Sequence, residues 1–391
     1  MRILLVNKFY YPRGGDCMVT MGTERLLRAA GHDVAVFAMQ YGQNVEPESM
    51  SAFASEVSFA GGVGAKVKAL CRTMGCGDVK SSFTTMLHAF NPDVVHLHNI
   101  HSYLSPVIAR LAHEHGCRVV WTMHDYKLVC PAYTCLHDGT PCTLCVTGNK
   151  RNVLENRCMK GSLVASAVAW IEAVKWNRKT LERYADAFIC PSEFMAHMMR
   201  KAGFDPGKIV VLNNFITHMP ATAQQRGNYL CYVGRLSPEK GLDKVLEVVS
   251  RVNYVNFKVA GTGPLEVALR ERYKSCSNIE FLGHLDSASV AQLLQGAHAS
   301  VVPSQWYENN PLSVIESLCA GTPVLGSHMG GIPELINDSN GVIVDRYGNW
   351  ENALIHIIKK PWDHEAIARE AQQRFAPETH YKRLMTIYSS K

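Results

Sequence analysis

Nowhere in this chain do apolar residues run on for anything near the ~20 positions that a membrane-spanning helix needs, which argues against an integral membrane protein. The first residues, MRILLVNKF, hold one early positive charge, a short apolar run and no small-residue cleavage pattern. They read as a first buried strand rather than a signal peptide, so a cytoplasmic protein is expected. The loop that follows, YYPRGGD, lacks the GxGxxG spacing and so speaks against a nicotinamide dinucleotide site. No DxD-type carboxylate pair stands at the end of a strand-like run, and aromatic-rich RNA motifs are missing. With a formal net charge of only +6, nucleic acid is not an expected partner; a zinc-supported nucleic-acid-binding module is the remote alternative.

What remains is an ordinary globular composition, 47% apolar and 19% charged, in 391 residues, enough for two or three domains. The most informative stretch is 299–335. An apolar run, Ser300 to Val302, leads into a polar loop with Glu308. A segment from Pro311 to Ala320 then spaces Leu312, Ile315 and Leu318 as one helical face, and a Gly-Thr-Pro break precedes Val324 and Leu325. This is half of a βαβ unit, with its polar loop at the carboxyl end of the first strand, where open parallel sheets bind ligands. A helix starting at Pro311 would aim free N–H groups and its positive end at an anion there. Glu308 and Glu316 lie about two turns apart and offer fixed acceptors to a polyol; a capping glutamate plus an exposed helical one is the plainer alternative.

The rest of the chain repeats the alternation. Ile3 to Val6, a helix near Met18 to Ala30 stopped by Gly31, and Val34 to Ala38 open a first series, in which Gly14-Gly15 can bring backbone N–H groups to a phosphate or simply turn the chain. Residues 41–90 are weakly patterned. The run DVVHL (93–97) leads to His98, Asn99 and His101, and Arg118 to Thr122 leads to TMHDY, placing His124 at a strand's carboxyl end. Next come a strand and a Ser192 N-cap in DAFICPSEFM, a last strand in KIVVLNN, and an aperiodic stretch, 215–228, that reads as a linker. A second series opens at YLCYV and carries the loop Gly234-Arg235-Leu236-Ser237-Pro238-Glu239-Lys240-Gly241, then FKVAGTGP with Gly263, then NIEFLGHL with His284 and Leu285. Arg235 and Lys240 suit a diphosphate, as a fork and as a point charge. Helical pattern continues from Trp350 to the end.

Taken together, GRLSPEKG, the Glu308 to Glu316 loop and helix, GTPV, GG-x-PE (Gly330 to Glu334) and the His-Asp after a strand resemble glycosyltransferase family 4. The resemblance covers nearly the whole chain and is weakest at 41–90 and 130–160. It implies the α/β GT-B fold: two Rossmann-like domains facing across a cleft, residues 1–214 on the acceptor side and 215–372 holding the nucleotide-sugar, with a final helix, 373–391, returning to the first domain. It also implies a retaining transfer. By residue, Glu316 would take the ribose hydroxyls, Glu308 the donor-sugar hydroxyls, and Arg235 with Lys240 the diphosphate, with Gly14 and Gly15 opposite it. Gly234, Gly263, backbone groups at His284 and Leu285, and N–H groups at Asn310 to Leu312 would complete the donor site, and His124 would contact the sugar near its anomeric carbon. His124, Glu308, Arg235 and Lys240 are thus the expected catalytic set. His98, Asn99 and His101 are acceptor-side candidates or local packing groups. Asn309, Asn310 and Pro311 replace the commoner small and aromatic residues of an E-G-F-G loop, so two amides could read sugar hydroxyls or an N-acetyl group.

The expected partners are a nucleotide-sugar, UDP-sugar first and GDP-sugar next, and a glycan or lipid-linked glycan in surface polysaccharide or glycolipid synthesis. An epimerase or a phosphorylase on the same fold is the alternative, although no pyridoxal lysine signals itself. No cofactor is expected for catalysis, the Arg/Lys pair standing in for a metal. A structural zinc is a separate matter. Five of the 13 cysteines fall within residues 130–160. Cys130, Cys142, Cys145 and Cys158, with His137 as a substitute, could form a tetrahedral thiolate site; free thiols and disulfides are the alternatives. Finally, Thr147 to Arg183 holds eight Lys/Arg against three Glu, around Leu163, Val164, Ala167, Val168, Trp170, Ile171 and Val174. Such a segment can rest on an anionic membrane face, making the protein peripheral, or pack against the core with a solvated basic side.

Overall fold

A computed structural model describes residues 1–58, 61–220, 226–252 and 254–390, and of Val63 the backbone alone. The chain divides into two compact units, one of Met1–His137, Cys142–Asn213 and His380–Lys391, the other of Asp138–Pro141 and Asn214–Thr379. Both are layered α/β structures built on a parallel sheet.

In the first unit the strands are β1 (Arg2–Val6), β2 (Asp33–Met39), β3 (Met50–Ala54), β4 (Val94–Leu97), β5 (Arg118–Thr122), β6 (Ala187–Cys190) and β7 (Ile209–Val211). Among the described residues they pair in the order β3-β2-β1-β4-β5-β6-β7, all in parallel. Helices cover both faces of such a sheet, so its strands are continuous apolar runs: all of Ile3 to Val6 and Val34 to Met39 is buried. Leu4 faces Val95 in register, and the strand order reverses between β1 and β4.

The second unit repeats the plan with β8 (Tyr229–Val233), β9 (Asn256–Ala260), β10 (Ile279–Gly283), β11 (Ala299–Val302), β12 (Val324–Ser327) and β13 (Gly341–Val344), in the order β10-β9-β8-β11-β12-β13. Its reversal lies between β8 and β11, where Leu230 pairs with Ala299.

Several expectations about boundaries change. The second unit extends through Thr379 rather than 372, because helix His364–Phe375 buries Ile367, Ala371 and Phe375 beside Ile315, Leu318 and Ile332. The returning segment begins at His380: Leu384, Ile387 and Tyr388 of helix Pro377–Ser389 join Ile3, Leu5, Val94 and Val120 in the first unit's core. Burying a leucine such as Leu384 is worth about 2–5 kcal/mol against alanine. Phe215 and Ile216, read as the start of a linker, are core residues; positions 221–225 of that stretch lie outside the described residues. The weakly patterned 41–90 region holds β3 and two helices, Val63–Thr73 and Asp78–Phe90, while 59–60 are outside the description. Arg72 holds this region: its buried guanidinium donates to the carbonyls of Ser55 and Tyr103 and pairs with Asp78.

Candidate functional site

In each unit the side chains with chemistry gather where the strand order reverses, at the carboxyl ends of the strands. In the second unit the loops after β8, β9 and β10 are stitched together: Gly234 N–H donates to Ala260 (3.0 Å), Leu236 N–H to Thr262 (2.9 Å) and Gly261 N–H to Gly283 (2.7 Å). Arg235 points outward, exposed and without an ion pair among the described residues. Gly241, next to Lys240, adopts φ +68°, and a Cβ there would stand 2.2 Å from the Pro303 carbonyl oxygen, so the loop closes on β11 only with glycine.

Lys240 then reaches Glu308, its Nζ 2.7 Å from Oε1; the same oxygen accepts from Ser304 Oγ (2.6 Å) and Trp306 Nε1 (2.8 Å). Burial alone would raise this carboxyl's pKa, but the Lys240 charge and these hydrogen bonds outweigh it and hold it below its ordinary value. Glu308 is therefore an anion, fixed from three sides. Its backbone is fixed as well: Gly331 N–H donates to the Glu308 carbonyl (2.8 Å), and Gly330, at φ +63°, leaves no room for a Cβ, which would fall 2.1 Å from that oxygen.

Glu316 differs from Glu308 in every respect but chemistry. It sits on helix Leu312–Cys319, and its carboxyl makes no hydrogen bond or ion pair among the described residues. Burial pushes its pKa up to about 7. The helix starts at Pro311 without a side-chain cap, so its first N–H groups are open to a ligand. Asn310 is largely committed to structure: its Oδ1 accepts from Asn214 N–H and its carbonyl from Asn214 Nδ2, both at 2.8 Å, while its buried Nδ2 has no partner among the described residues. What Asn310 still has for a ligand is chiefly its Nδ2 donor. Gly263 packs on Leu236, while His284 is exposed and Leu285 half-buried after β10.

In the first unit the crevice between β1 and β4 is tied by Asn7, whose Oδ1 accepts from Asn99 N–H (3.1 Å), and by Lys8 N–H donating to Asn99 O (3.0 Å). Asn99 Nδ2 donates to Asp16 Oδ2 (3.0 Å). Asp16, in the first turn of helix Gly15–Ala29, pays for burial with a raised pKa tendency that Lys8, His124 and Asn99 reverse, so its carboxyl lies below the ordinary value. Gly14 is extended, with no demand for glycine. His124 is half-buried after β5, its Nε2 2.9 Å from Nδ1 of His98; burial lowers its pKa to about 4. The neighbouring Asp125 is raised by burial.

His98 is 1% exposed, so its ring has no surface to give an acceptor; it faces His124 instead. Asn99 likewise serves Asp16, and His101, 8% exposed, stacks on Trp121 at 5.1 Å. The three expected acceptor-side residues are thus mainly internal. His101 also lines a cavity of about 210 Å³ with the buried Lys127–Glu172 ion pair (2.8 Å), Trp176 and Phe204.

The cysteine segment takes its order from a lysine. Lys150 Nζ donates to the carbonyls of Val129 and Cys145, both at 2.6 Å, while Val146 and Val153 are buried beneath. Among the described residues no three His, Cys, Asp or Glu side chains are grouped so as to hold a metal. Cys130 and Cys135 hydrogen-bond each other, which lowers the Cys130 thiol and raises that of Cys135, and all thirteen cysteines are unbridged.

The profile of the family described as glycosyltransferase family 4 matches residues 18–218, just over half of the chain, and that of glycosyl transferases group 1 matches 216–374. The chain belongs to glycosyltransferase family 4. The protein of Klebsiella pneumoniae described as an uncharacterized 42.6 kDa protein in the cps region is 26% identical to this glycosyltransferase over 355 residues, 86% of this chain and 87% of that one. The O-antigen biosynthesis glycosyltransferase WbnH of Escherichia coli is 26% identical over 193 residues, 48% of this chain and only 54% of its own length. Among solved structures, HepE of Anabaena in complex with UDP superimposes with a TM-score of 0.70 at 17% identity, covering 100% of both chains. At that identity the likeness concerns the fold, which is GT-B.

Three residues of this glycosyltransferase's crevices escaped the sequence reading: Lys8, Asp16 and Asp125. Asp16 follows Gly14-Gly15 directly and Asp125 follows His124, so both adjoined motifs already singled out. Lys8 had no such signal, since only the strand order brings the end of β1 beside the end of β4.

Proposed function

We propose that this glycosyltransferase transfers a sugar from a nucleotide-diphosphate donor, UDP-sugar in the first place and GDP-sugar in the second, with retention of anomeric configuration. Glu316 carries the reading: a half-buried carboxyl with no partner among the described residues, at a strand-order reversal, beside an uncapped helix start. A ribose diol satisfies that carboxyl, and the N–H groups at Asn310 to Leu312 receive sugar and phosphate oxygens. Arg235 and Lys240 balance the diphosphate, and Glu308, held by Lys240, accepts from donor-sugar hydroxyls. His124 contacts the donor sugar, Gly14 and Gly15 the phosphates, and backbone groups of Gly234, Gly263, His284 and Leu285 the nucleoside.

In the transfer, the bond from the anomeric carbon to the diphosphate breaks and a bond to the acceptor oxygen forms on the same face. The acceptor's proton passes to a departing phosphate oxygen. The cations stabilise the charge that develops there, the role a metal has elsewhere. The UDP in HepE and the cps and O-antigen settings of the relatives support a UDP-sugar and a surface-glycan acceptor. Helix Leu163–Lys175 supports a membrane-presented one: Leu163, Val164, Ile171 and Val174 are exposed along it, between Lys160 and Lys179.

Melting temperature against UDP-, GDP-, ADP- and dTDP-sugars tests the donor. A selective rise, lost in Glu316→Ala, is expected; no rise with any of them contradicts the reading. Early-time NMR of the product glycoside tests retention, which an inverted anomer overturns.

A further inference from the structure

The pairing of His98 with His124 has a consequence for which proton His124 carries. One ring nitrogen must donate and the other accept across the 2.9 Å contact between His98 Nδ1 and His124 Nε2. Both rings are held neutral by burial, so each has a single N–H to place. The far nitrogen of His98, Nε2, is buried and has no partner among the described residues. If His124 donated, the proton of His98 would sit on that enclosed Nε2 as an orphan N–H, which native structures avoid more strictly than an under-used acceptor. If His98 donates from Nδ1, only a lone pair is left unserved.

The His98 ring cannot turn away to escape this choice. It stacks on His96 (4.2 Å between centroids) and lies nearly coplanar with His124 (5.2 Å, 19° between planes), edge to edge across their hydrogen bond. Its backbone is pinned at both ends, N–H to Val6 O (2.8 Å) and carbonyl to Trp121 Nε1 (2.9 Å). His96 is itself spoken for, by Tyr388 Oη and Thr122 Oγ1 at 2.7 Å each.

We infer that His98 is a positioning residue that fixes His124 as its Nδ1–H tautomer, so that His124 meets its ligand as a neutral hydrogen-bond donor and not as a proton acceptor. The only basic nitrogen of His124 is occupied by His98, and its Nδ1 makes no hydrogen bond among the described residues. The charged groups facing it are Asp16 from helix Gly15–Ala29 and Lys8 from the end of β1. A donor suits a sugar hydroxyl or ring oxygen, and it agrees with a transfer in which the acceptor's proton goes to the phosphate. That last step rests on the function proposed above; the tautomer itself does not.

The test is a long-range 1H–15N correlation spectrum of the full chain with 15N-labelled imidazoles, without nucleotide, using His124→Gln to identify the His124 signals. The expected pattern for His124 at pH 7 is a protonated, pyrrole-type Nδ1 and a bare, pyridine-type Nε2. His98→Asn, whose amide can donate from about the place of Nδ1, should preserve it; His98→Phe, which keeps the ring and loses the donor, should move His124 towards the Nε2–H form. A pyridine-type Nδ1 in the unmodified protein overturns the inference, whatever becomes of the variants. So does an unchanged pattern in a His98→Phe protein whose melting shows it folded. Because no donor is present, failure here is distinct from failure of the nucleotide-sugar reading, which the melting panel alone decides.

Discussion

The crevice between β1 and β4 and the crevice between β8 and β11 arise from the same reversal in strand order, yet they are furnished in opposite ways. The first is lined by imidazoles that burial keeps uncharged, His96 at about 3 and His124 at about 4, with two carboxyls, Asp16, held by Asn99 and Lys8, and Asp125, raised by burial. The second is built on charge: an exposed Arg235, a Lys240–Glu308 pair at 2.7 Å, and Glu316 poised near neutrality. Topology chooses where a ligand can be met, and the side chains delivered there choose what it can be. A diphosphate needs cations, which is why the proposed function seats it in the second crevice. The sugar of the proposed donor needs hydrogen-bond donors and acceptors, which the neutral imidazoles of the first can offer.

The largest effect expected from breaking this contrast comes from Lys240→Met. It removes a cation from the leaving-group side and leaves Glu308 buried without its partner. A fall in kcat of about 10²–10³-fold is expected from steady-state kinetics, with a loss of about 2–4 kcal/mol in urea unfolding. Phe at His124, which removes only a neutral contact, should cost less in kcat than Lys240→Met; the reverse order would dissolve the distinction between the crevices.

Next in size is a pH effect that belongs to one crevice alone. Glu316 is protonated below about 7 and ionised above it, so nucleotide binding should strengthen about tenfold between pH 6 and pH 8 as the carboxylate that accepts the ribose hydroxyls forms. Calorimetric titration across that range checks it, and Glu316→Gln should flatten the curve. The histidines His96 and His124 of the first crevice add nothing in this window, because they stay neutral throughout. For stability the sign is opposite. The folded-state pKa of Glu316 is raised from 4.5, so its contribution is present below pH 4.5 and lost as pH rises through about 7. Glu316→Gln should therefore melt a few degrees above the unmodified protein at pH 8 and level with it below pH 4.5. The two glutamates separate here too, since Glu308→Gln, whose pKa is lowered, should destabilise at pH 8. The smallest effect concerns the cysteine segment: with Lys150 Nζ bonded to the Val129 and Cys145 carbonyls, a strong chelator should leave the melting temperature unchanged, and a fall would show that a metal orders the segment.

Much of this architecture is legible in the sequence where one physical rule governs a residue. Strands buried on both faces read as unbroken apolar runs, as in Ile3 to Val6 and Val34 to Ala38, and Ser192 declares its helix because its Oγ accepts from Met195 N–H at 3.1 Å. The charged crevice is legible for the same reason, its cations and carboxylates sitting in short motifs. What escapes is whatever depends on distant partners. β3, an edge strand with only Ala54 fully buried, carries no apolar run. Arg72 reads as one more surface cation, although it is among the most buried side chains of the chain. His98 looks like a site residue, yet its buried ring faces His124. Phe215 and Ile216 lack periodicity because two residues are too few to show any.

The central claim is that Glu316 holds the ribose of a nucleotide-sugar, and a comparison of UDP with its 2′,3′-dideoxy analogue tests it most directly. Titrated into the unmodified protein, the analogue should bind more weakly by about 1.5–3 kcal/mol, the worth of hydrogen bonds to a charged group. In Glu316→Ala the two nucleotides should bind alike, closing the cycle. An equal penalty in both proteins would place the ribose elsewhere and contradict the account.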